Sequence, residues 1–306
     1  MPVAEWTEVS KRYRPDGPLA LDRLSFGVER GEIVVVVGPN GSGKTSAMEM
    51  LSGLRRPTSG TVRLNGEPVR PGYRHRQALG VQLQDAGLPL RIRVREAVAA
   101  VACLYRDPGP VDEILARLGL SEHLPVMVDT LSGGWQRRVD VALACLGNPV
   151  MIVLDEPTSG LDPVARADLW EFLRERRAQG DAILASTHDL AEAEAFADRL
   201  IVLHRGRKVL EGTVEQVLAQ AGGEWRLRII GADLAARELC HAAGLRCHAT
   251  GEAISVLGPK PAVIALGDRL EEAQERGEIG YRDLLRGPVR LEDVFAAVVG
   301  RDGGDD

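Results

Sequence analysis

Two kinds of hydrophobic pattern alternate along most of this chain. Ile33–Val37 and Val150–Leu154 are unbroken apolar runs rich in β-branched residues, which predicts strands buried on both faces of a mainly parallel sheet. Elsewhere the period lengthens. Val111, Ile114, Leu115 and Leu118 recur at i, i+3, i+4 and i+7, predicting an amphipathic helix that Gly119 ends, within a helical stretch from about Gly80 to Asn148. Beyond Leu154 the pattern predicts a helix from about Pro163, a strand at Ala182–Ser186, a helix through Phe196 and a strand at Arg199–Leu203. Such alternation implies an α/β sheet covered by helices on both faces. Residues 1–65 read as strands around a glycine turn, with a helix over Thr45–Leu54 closed by Gly53.

After Ala221-Gly222-Gly223 the pattern changes. Trp225–Ile230 alternates, Leu234–Ala243 is helical, Ile254–Leu257 reads as a short strand, and two more helical patterns follow. The expected organisation is one large domain over residues 1–221, with a helical subdomain at about 85–148. A small α+β accessory domain over 222–306 follows, ending in a disordered acidic tail at Arg301–Asp306.

Composition narrows the function classes. With 44% hydrophobic and 27% charged residues the chain resembles ordinary soluble proteins, and aromatics at 4% leave the core to Val, Leu, Ile and Ala. No apolar run approaches the roughly 20 residues that span a bilayer, and the N-terminus lacks a basic-then-apolar leader, so a cytoplasmic location is expected. A net charge of −6 argues against a general nucleic-acid binder. Cys103, Cys145, Cys240 and Cys247 stand at no redox spacing and are expected as reduced thiols. Cys240-His241 and Cys247-His248 lack the tight Cys-x-x-Cys spacing of a zinc knuckle.

Only four of the 38 basic residues are lysines, and one, Lys44, closes Gly38-Pro39-Asn40-Gly41-Ser42-Gly43-Lys44-Thr45. This matches G-x-x-x-x-G-K-[ST] directly after a buried strand and at the start of a helix. Glycines there let consecutive backbone N–H groups curl around phosphate oxygens, and the helix N-terminus adds its positive end. Lys44, read as an exposed loop lysine, is expected on the β- and γ-phosphates, and the Thr45 hydroxyl on Mg²⁺. The strand ending in Asp155-Glu156 supplies the complement. Asp155 is expected at the metal on the carboxyl edge of the sheet, and Glu156 as the general base that holds the attacking water.

Between these motifs lies Leu131-Ser132-Gly133-Gly134, which resembles the signature of ABC ATPases. The order phosphate loop, signature, Asp155-Glu156, Ser159-Gly160-Leu161-Asp162 and Thr187-His188 extends that resemblance over about residues 3 to 220. The resemblance implies an α/β P-loop NTPase cassette, a mixed-sheet core with a helical subdomain, hydrolysing ATP with Mg²⁺. It also implies homodimerisation on ATP and separate membrane-spanning permease subunits, with the chain peripheral on the inner face of the cell membrane. It places the phosphate loop through Ser46 on the nucleotide, Tyr13 on adenine (a core aromatic being the alternative), and His188 on the γ-phosphate. Gln84 is implied at the metal and the membrane partner, with Gln82 close enough to compete. Ser132, Gly133 and Gly134 are implied on the nucleotide of a second subunit, and Asp162 at the dimer seam. Two residues depart from the pattern: Trp135 stands where many members have glutamine, and Ser46 where a second threonine is common.

Near the end, Leu291-Glu292-Asp293-Val294-Phe295 resembles the ending of drug-resistance-type exporter ATPases, including the daunorubicin exporter's, and implies efflux of a drug-like or other small molecule. The alternatives are an import ATPase, or a soluble ABC-type ATPase acting on DNA or ribosomes. A repair ATPase is disfavoured because the interval of about 111 residues from Lys44 to Asp155 holds no heptad arm, and a translation factor because there is one cassette.

Overall fold

The computed structural model describes residues 1–70, 75–84, 88–89, 91–220 and 222–299; the predicted acidic tail lies outside these. The chain divides into two compact units, Met1–Glu211 and Gly212–Asp306.

The first unit begins with β1 (Ala4–Arg12), β2 (Leu19–Val28), β3 (Ile33–Val37), α1 (Lys44–Leu51), β4 (Ser59–Leu64), β5 (Glu67–Pro68) and β6 (Leu79–Gln82). It continues with α2 (Val94–Ala102), α3 (Val111–Arg117), α4 (Gly133–Ala144), β7 (Met151–Asp155), α5 (Pro163–Ala178), β8 (Ala182–Thr187), α6 (Leu190–Phe196), β9 (Arg199–His204) and β10 (Arg207–Gly212). An antiparallel sheet of order β2-β1-β4-β5 faces a six-stranded sheet of order β10-β9-β3-β8-β7-β6, in which β9, β3, β8, β7 and β6 run parallel. All five residues of β3 and of β7 are buried, as their unbroken apolar runs demand. One core joins the sheets: Trp6 stacks on Phe26 at 4.1 Å and donates to the Ala47 carbonyl at 3.2 Å, beside Met48, Leu51, Val36 and Val153.

The helical reading from about Gly80 is corrected at its start, because Gly80 lies inside strand β6. A four-residue strand carries too little alternation to be read. Its glycine is required because a Cβ there would run into the Ala144 carbonyl at the end of α4.

In the second unit, α7 (Val214–Ala219), β11 (Trp225–Ile230), α8 (Leu234–Ala242), β12 (Arg246–Thr250), β13 (Ala253–Gly258), α9 (Lys260–Glu275), β14 (Asp283–Pro288) and α10 (Leu291–Val299) follow in order. The β11-α8-β12-β13-α9-β14 run forms an antiparallel sheet of order β12-β13-β11-β14, the ferredoxin-like split βαβ arrangement. Leu227, Ile229, Cys240, Val256, Val263 and Leu270 make its core. Helix α7 packs against α10, so the division falls after Glu211 rather than at the composition break near 221.

Candidate nucleotide site

The strand-to-helix turn after β3 is built around positions that admit no side chain. Gly43 caps α1 at φ 107, and a Cβ there would lie 2.6 Å from both the Ala20 carbonyl and Leu21 Cδ2 of β2. A Cβ on Gly38 would collide with the Leu203 carbonyl. Backbone is thereby brought close around a cavity of about 440 Å³ lined by Tyr13, Ala20, Asn40, Gly41, Gly43, Lys44, Thr45, Ser46, Gln84 and Glu156.

Lys44 is not the exposed loop lysine expected from sequence; it is 6% exposed. Its ammonium donates to the Gly38 carbonyl at 2.8 Å and the Pro39 carbonyl at 3.3 Å. Burial pushes its pKa down, opposed by the charges of Glu156 and Asp155. A helix start buried at the end of the central strand leaves the long side chain nowhere to snorkel. Ser42 Oγ is buried with no hydrogen-bond partner among the described residues, an unusual state for a hydroxyl and one that a phosphate oxygen would relieve.

Thr45 Oγ1 donates to Asp155 Oδ2 at 2.7 Å, so helix α1 and strand β7 meet through two hard oxygen donors. Among the described residues no cluster of three His, Cys, Asp or Glu stands ready to hold a metal alone. A threonine hydroxyl and one carboxylate, with Gln84 in the same cavity, fit Mg²⁺, which takes few protein oxygens and completes its shell with water and phosphate. Of the two glutamines, Gln84 lines this cavity. Gln82 is 1% exposed and donates to the Asp155 carbonyl at 3.3 Å, which makes it part of the sheet edge.

Glu156 turns out of the strand with φ 51, a left-handed conformation that a glutamate adopts only under restraint. The restraint is Ser186, which sequence reading missed. Its hydroxyl accepts from the Glu156 N–H at 3.0 Å and donates to Asp155 Oδ1. The available signal was a lone hydroxyl closing the apolar run of β8. His188 Nδ1 lies 3.3 Å from Oε2 of Glu156, which lines the cavity, and the His188 side chain is 62% exposed. Tyr13 is half exposed, which excludes the core-aromatic alternative. Its hydroxyl is 2.8 Å from Ser46 Oγ, and Lys11 and Arg55 flank its ring at 5.2 and 5.7 Å. Ser46 thus anchors the aromatic.

The signature residues do not join this cavity. Ser132, Gly133, Gly134, Trp135, Arg138, Leu161 and Asp162 line a separate one of about 340 Å³. Ser132 caps α4 without spending its hydroxyl on the helix, leaving that hydroxyl and the first N–H groups of α4 available. Asp162 caps α5, accepting at 3.0 Å from the N–H groups of Ala165 and Val164, and these bonds lower its pKa. Trp135 folds back onto His123 at 4.0 Å with Arg138 across its ring, so it braces the subdomain as well as lining the cavity.

A family model described as ABC transporter matches residues 21–159. The Nod factor export ATP-binding protein I of Burkholderia thailandensis is 37% identical over 98% of both chains. A solved structure of the ATP-binding subunit of an ABC transporter superposes on 71% of this chain and 92% of its own, with TM-score 0.65 and 30% identity. A dimeric ATP-binding cassette in a post-hydrolysis state with ADP and Pi covers 69% of this chain and 98% of its own, at TM-score 0.62 and 25% identity. With a complete phosphate loop, a carboxylate pair beside it and a signature helix, the chain belongs to the ABC transporter family as an ATP-binding subunit, and is an ATPase.

Proposed function

We propose that this ATPase drives export of a drug-like or other small organic molecule through separate membrane-spanning subunits, working as a homodimer closed by two ATP molecules. Lys44, Ser42 and the loop N–H groups grip the phosphates, and Tyr13 stacks on the base. Thr45, Asp155 and Gln84 would hold Mg²⁺, which when bound would offset charge on the β- and γ-phosphates. Glu156 accepts the proton of the attacking water, and His188 reaches the γ-phosphate from the same edge. Ser132, Gly133, Gly134 and Asp162 meet the nucleotide of the second copy. The observation that carries the dimer is that the phosphate loop and the signature residues line different cavities of one chain.

The membrane subunit is read from a third cavity, about 410 Å³, whose lining is mainly apolar and includes Leu54, Leu79, Val81, Leu88, Val101 and Leu143, with Arg76, Gln82 and Asp140 among its polar members. An apolar groove abutting the edge strand that leads to Gln84 suits a docked helix end from a partner. Among the described residues no helix is long and apolar enough to cross a membrane, and a transport path on separate membrane-spanning subunits is consistent with that. Export is favoured over import because relatives matched over 98% of their own length are named for export. No further feature supports a DNA or ribosome partner. Membrane fractionation with and without the co-expressed permease is the test. Sedimentation with membranes only in its presence supports the reading, and Leu88→Glu should cut efflux while leaving ATP binding intact. Salt-sensitive retention on DNA or ribosomes, with no membrane association, overturns it.

A further inference from the structure

Helix α6, which follows His188, carries a carboxylate that none of the motifs accounts for. Glu192 is 5% exposed. Burying a charge this deeply is costly unless it is fully compensated, and here the compensation comes from three separate elements. Oε2 accepts from Thr158 Oγ1 at 2.7 Å, Thr187 Oγ1 at 3.2 Å and Trp170 Nε1 at 3.4 Å; Oε1 pairs with Arg166 Nε at 2.9 Å. Thr158 is two residues past Glu156. Thr187 immediately precedes His188, and Arg166 and Trp170 belong to α5.

The surrounding bonds extend the tie in both directions. The Leu161 N–H donates to the Thr158 carbonyl at 3.1 Å, so the turn anchored by Glu192 runs directly into Leu161 and Asp162, which line the signature cavity. On the other side, Arg166 Nη1 donates to Asp189 Oδ2 at 2.8 Å, and the Asp189 N–H donates to Thr187 Oγ1 at 3.0 Å. Both chain neighbours of His188 are therefore held, while its own imidazole meets Glu156 at 3.3 Å. A purely structural ion pair could be exchanged for well-packed apolar side chains at small cost. This one sits where a loop bearing a base, a loop bearing a phosphate contact and the helix capped by Asp162 converge.

We infer that Glu192 is a positioning residue that locks the loops bearing Glu156 and His188 to helix α5, so that one buried carboxylate sets the geometry of the hydrolytic edge and of the signature-side cavity together. The inference rests on the roles proposed above for Glu156 and His188. The test is steady-state ATPase activity, ATP affinity by calorimetry and melting temperature for full-length Glu192→Ala and Glu192→Gln. A displacement of the order of 1 Å at a catalytic group costs about a hundredfold in rate, so Glu192→Ala should lose about that in kcat per folded molecule, with ATP affinity within about threefold of wild type. The Hill coefficient for ATP should fall toward one, because the two cavities are no longer tied. Glu192→Gln, whose amide oxygen still serves Thr158 and Thr187, should recover part of kcat. Wild-type kcat per folded molecule in Glu192→Ala, even with a lowered melting temperature, would overturn the inference. Should Glu192→Ala not fold, Thr158→Val and Thr187→Val decide. Each removes one donor, and a loss of about tenfold in kcat at unchanged ATP affinity supports the tie, whereas wild-type kcat in both overturns it. A Glu156→Gln control that hydrolyses normally brings down the underlying reading of the site, and this inference with it.

Discussion

Lys44→Met separates what the phosphate loop does for ATP from what it does for the fold. The side chain keeps its methylenes and loses its charge. In the ligand-free protein that charge is held by two carbonyls yet is nearly buried, and its pKa is lowered, with burial the largest cause, despite the attraction of Glu156 and Asp155. A lysine whose folded pKa lies below its unfolded value binds its proton less tightly in the folded state. The charged form is thus the one that burial penalises in the folded protein. Removing the charge should leave the ligand-free protein melting at or above the wild-type temperature. Binding should move the other way. A charge-assisted contact to phosphate in a partly buried cavity contributes about 3 kcal/mol, which is roughly a hundredfold in Kd. Calorimetric titration with ATP and Mg²⁺, alongside scanning calorimetry of the ligand-free protein, reads both. An ATP Kd within about threefold of wild type would refute the phosphate role. A large fall in melting temperature would refute the account of Lys44 as a burial cost carried for the ligand.

Three further substitutions probe other parts of the site. Glu156→Gln should lower turnover by about 10²- to 10⁴-fold while ATP still binds, and should accumulate an ATP-bound dimer on size exclusion; normal turnover would remove the general-base assignment. Trp135→Gln restores the residue common in the family but gives up the stack on His123 and the Arg138 contact, together about 1–2 kcal/mol, so it should melt a few degrees lower with hydrolysis within a few-fold. Asp140 faces the apolar groove, and burial raises its pKa to about 6 against the pull of Arg137. Its folded pKa is above the unfolded 3.8, so stability falls as pH rises between these values and the cost is complete above 6. Asp140→Asn should therefore gain on the order of 1–2 kcal/mol at pH 8, after allowing for solvent screening, and less at pH 5; equal gains at both would exclude burial of charge as the cause.

What sequence could and could not disclose follows from the range over which each feature is encoded. The phosphate loop is legible because eight consecutive residues do the work and the glycines have no alternative explanation: Gly43 and Gly38 are hemmed in by backbone and side-chain atoms of β2 and β9. β3 and β7 are legible because burial on both faces imposes an unbroken apolar run. β6 and β14 are not. Gly80 interrupts the first, and Asp283–Pro288 mixes exposed and half-buried positions on an edge strand, where period-two alternation has little to record. Gln82 and Gln84 are indistinguishable by spacing, and only the packing of the β6 edge against Asp155 assigns one to the sheet and the other to the cavity.

The environment of a motif is harder still to read than its existence. The pattern G-x-x-x-x-G-K-[ST] says that a lysine is present and where a phosphate would lie, but not that the lysine is buried against two backbone carbonyls, with the charges of Glu156 and Asp155 offsetting part of its desolvation. Ser186 and Glu192 are further removed, since each works through residues 22 to 34 positions away in the chain: Ser186 through Asp155 and Glu156, Glu192 through Thr158 and Trp170. A serine at the end of an apolar strand and an acid in the first turn of a helix have ordinary local explanations, the second as a favourable partner of the helix dipole. Local propensity and remote hydrogen bonding point to the same residue, so the local reading conceals the other. The variants part the two. An acid that only favours its helix terminus contributes a few tenths of a kcal/mol to 1 kcal/mol and leaves kcat alone, whereas the bonds from Thr158 and Thr187 make Glu192 answerable to the rate.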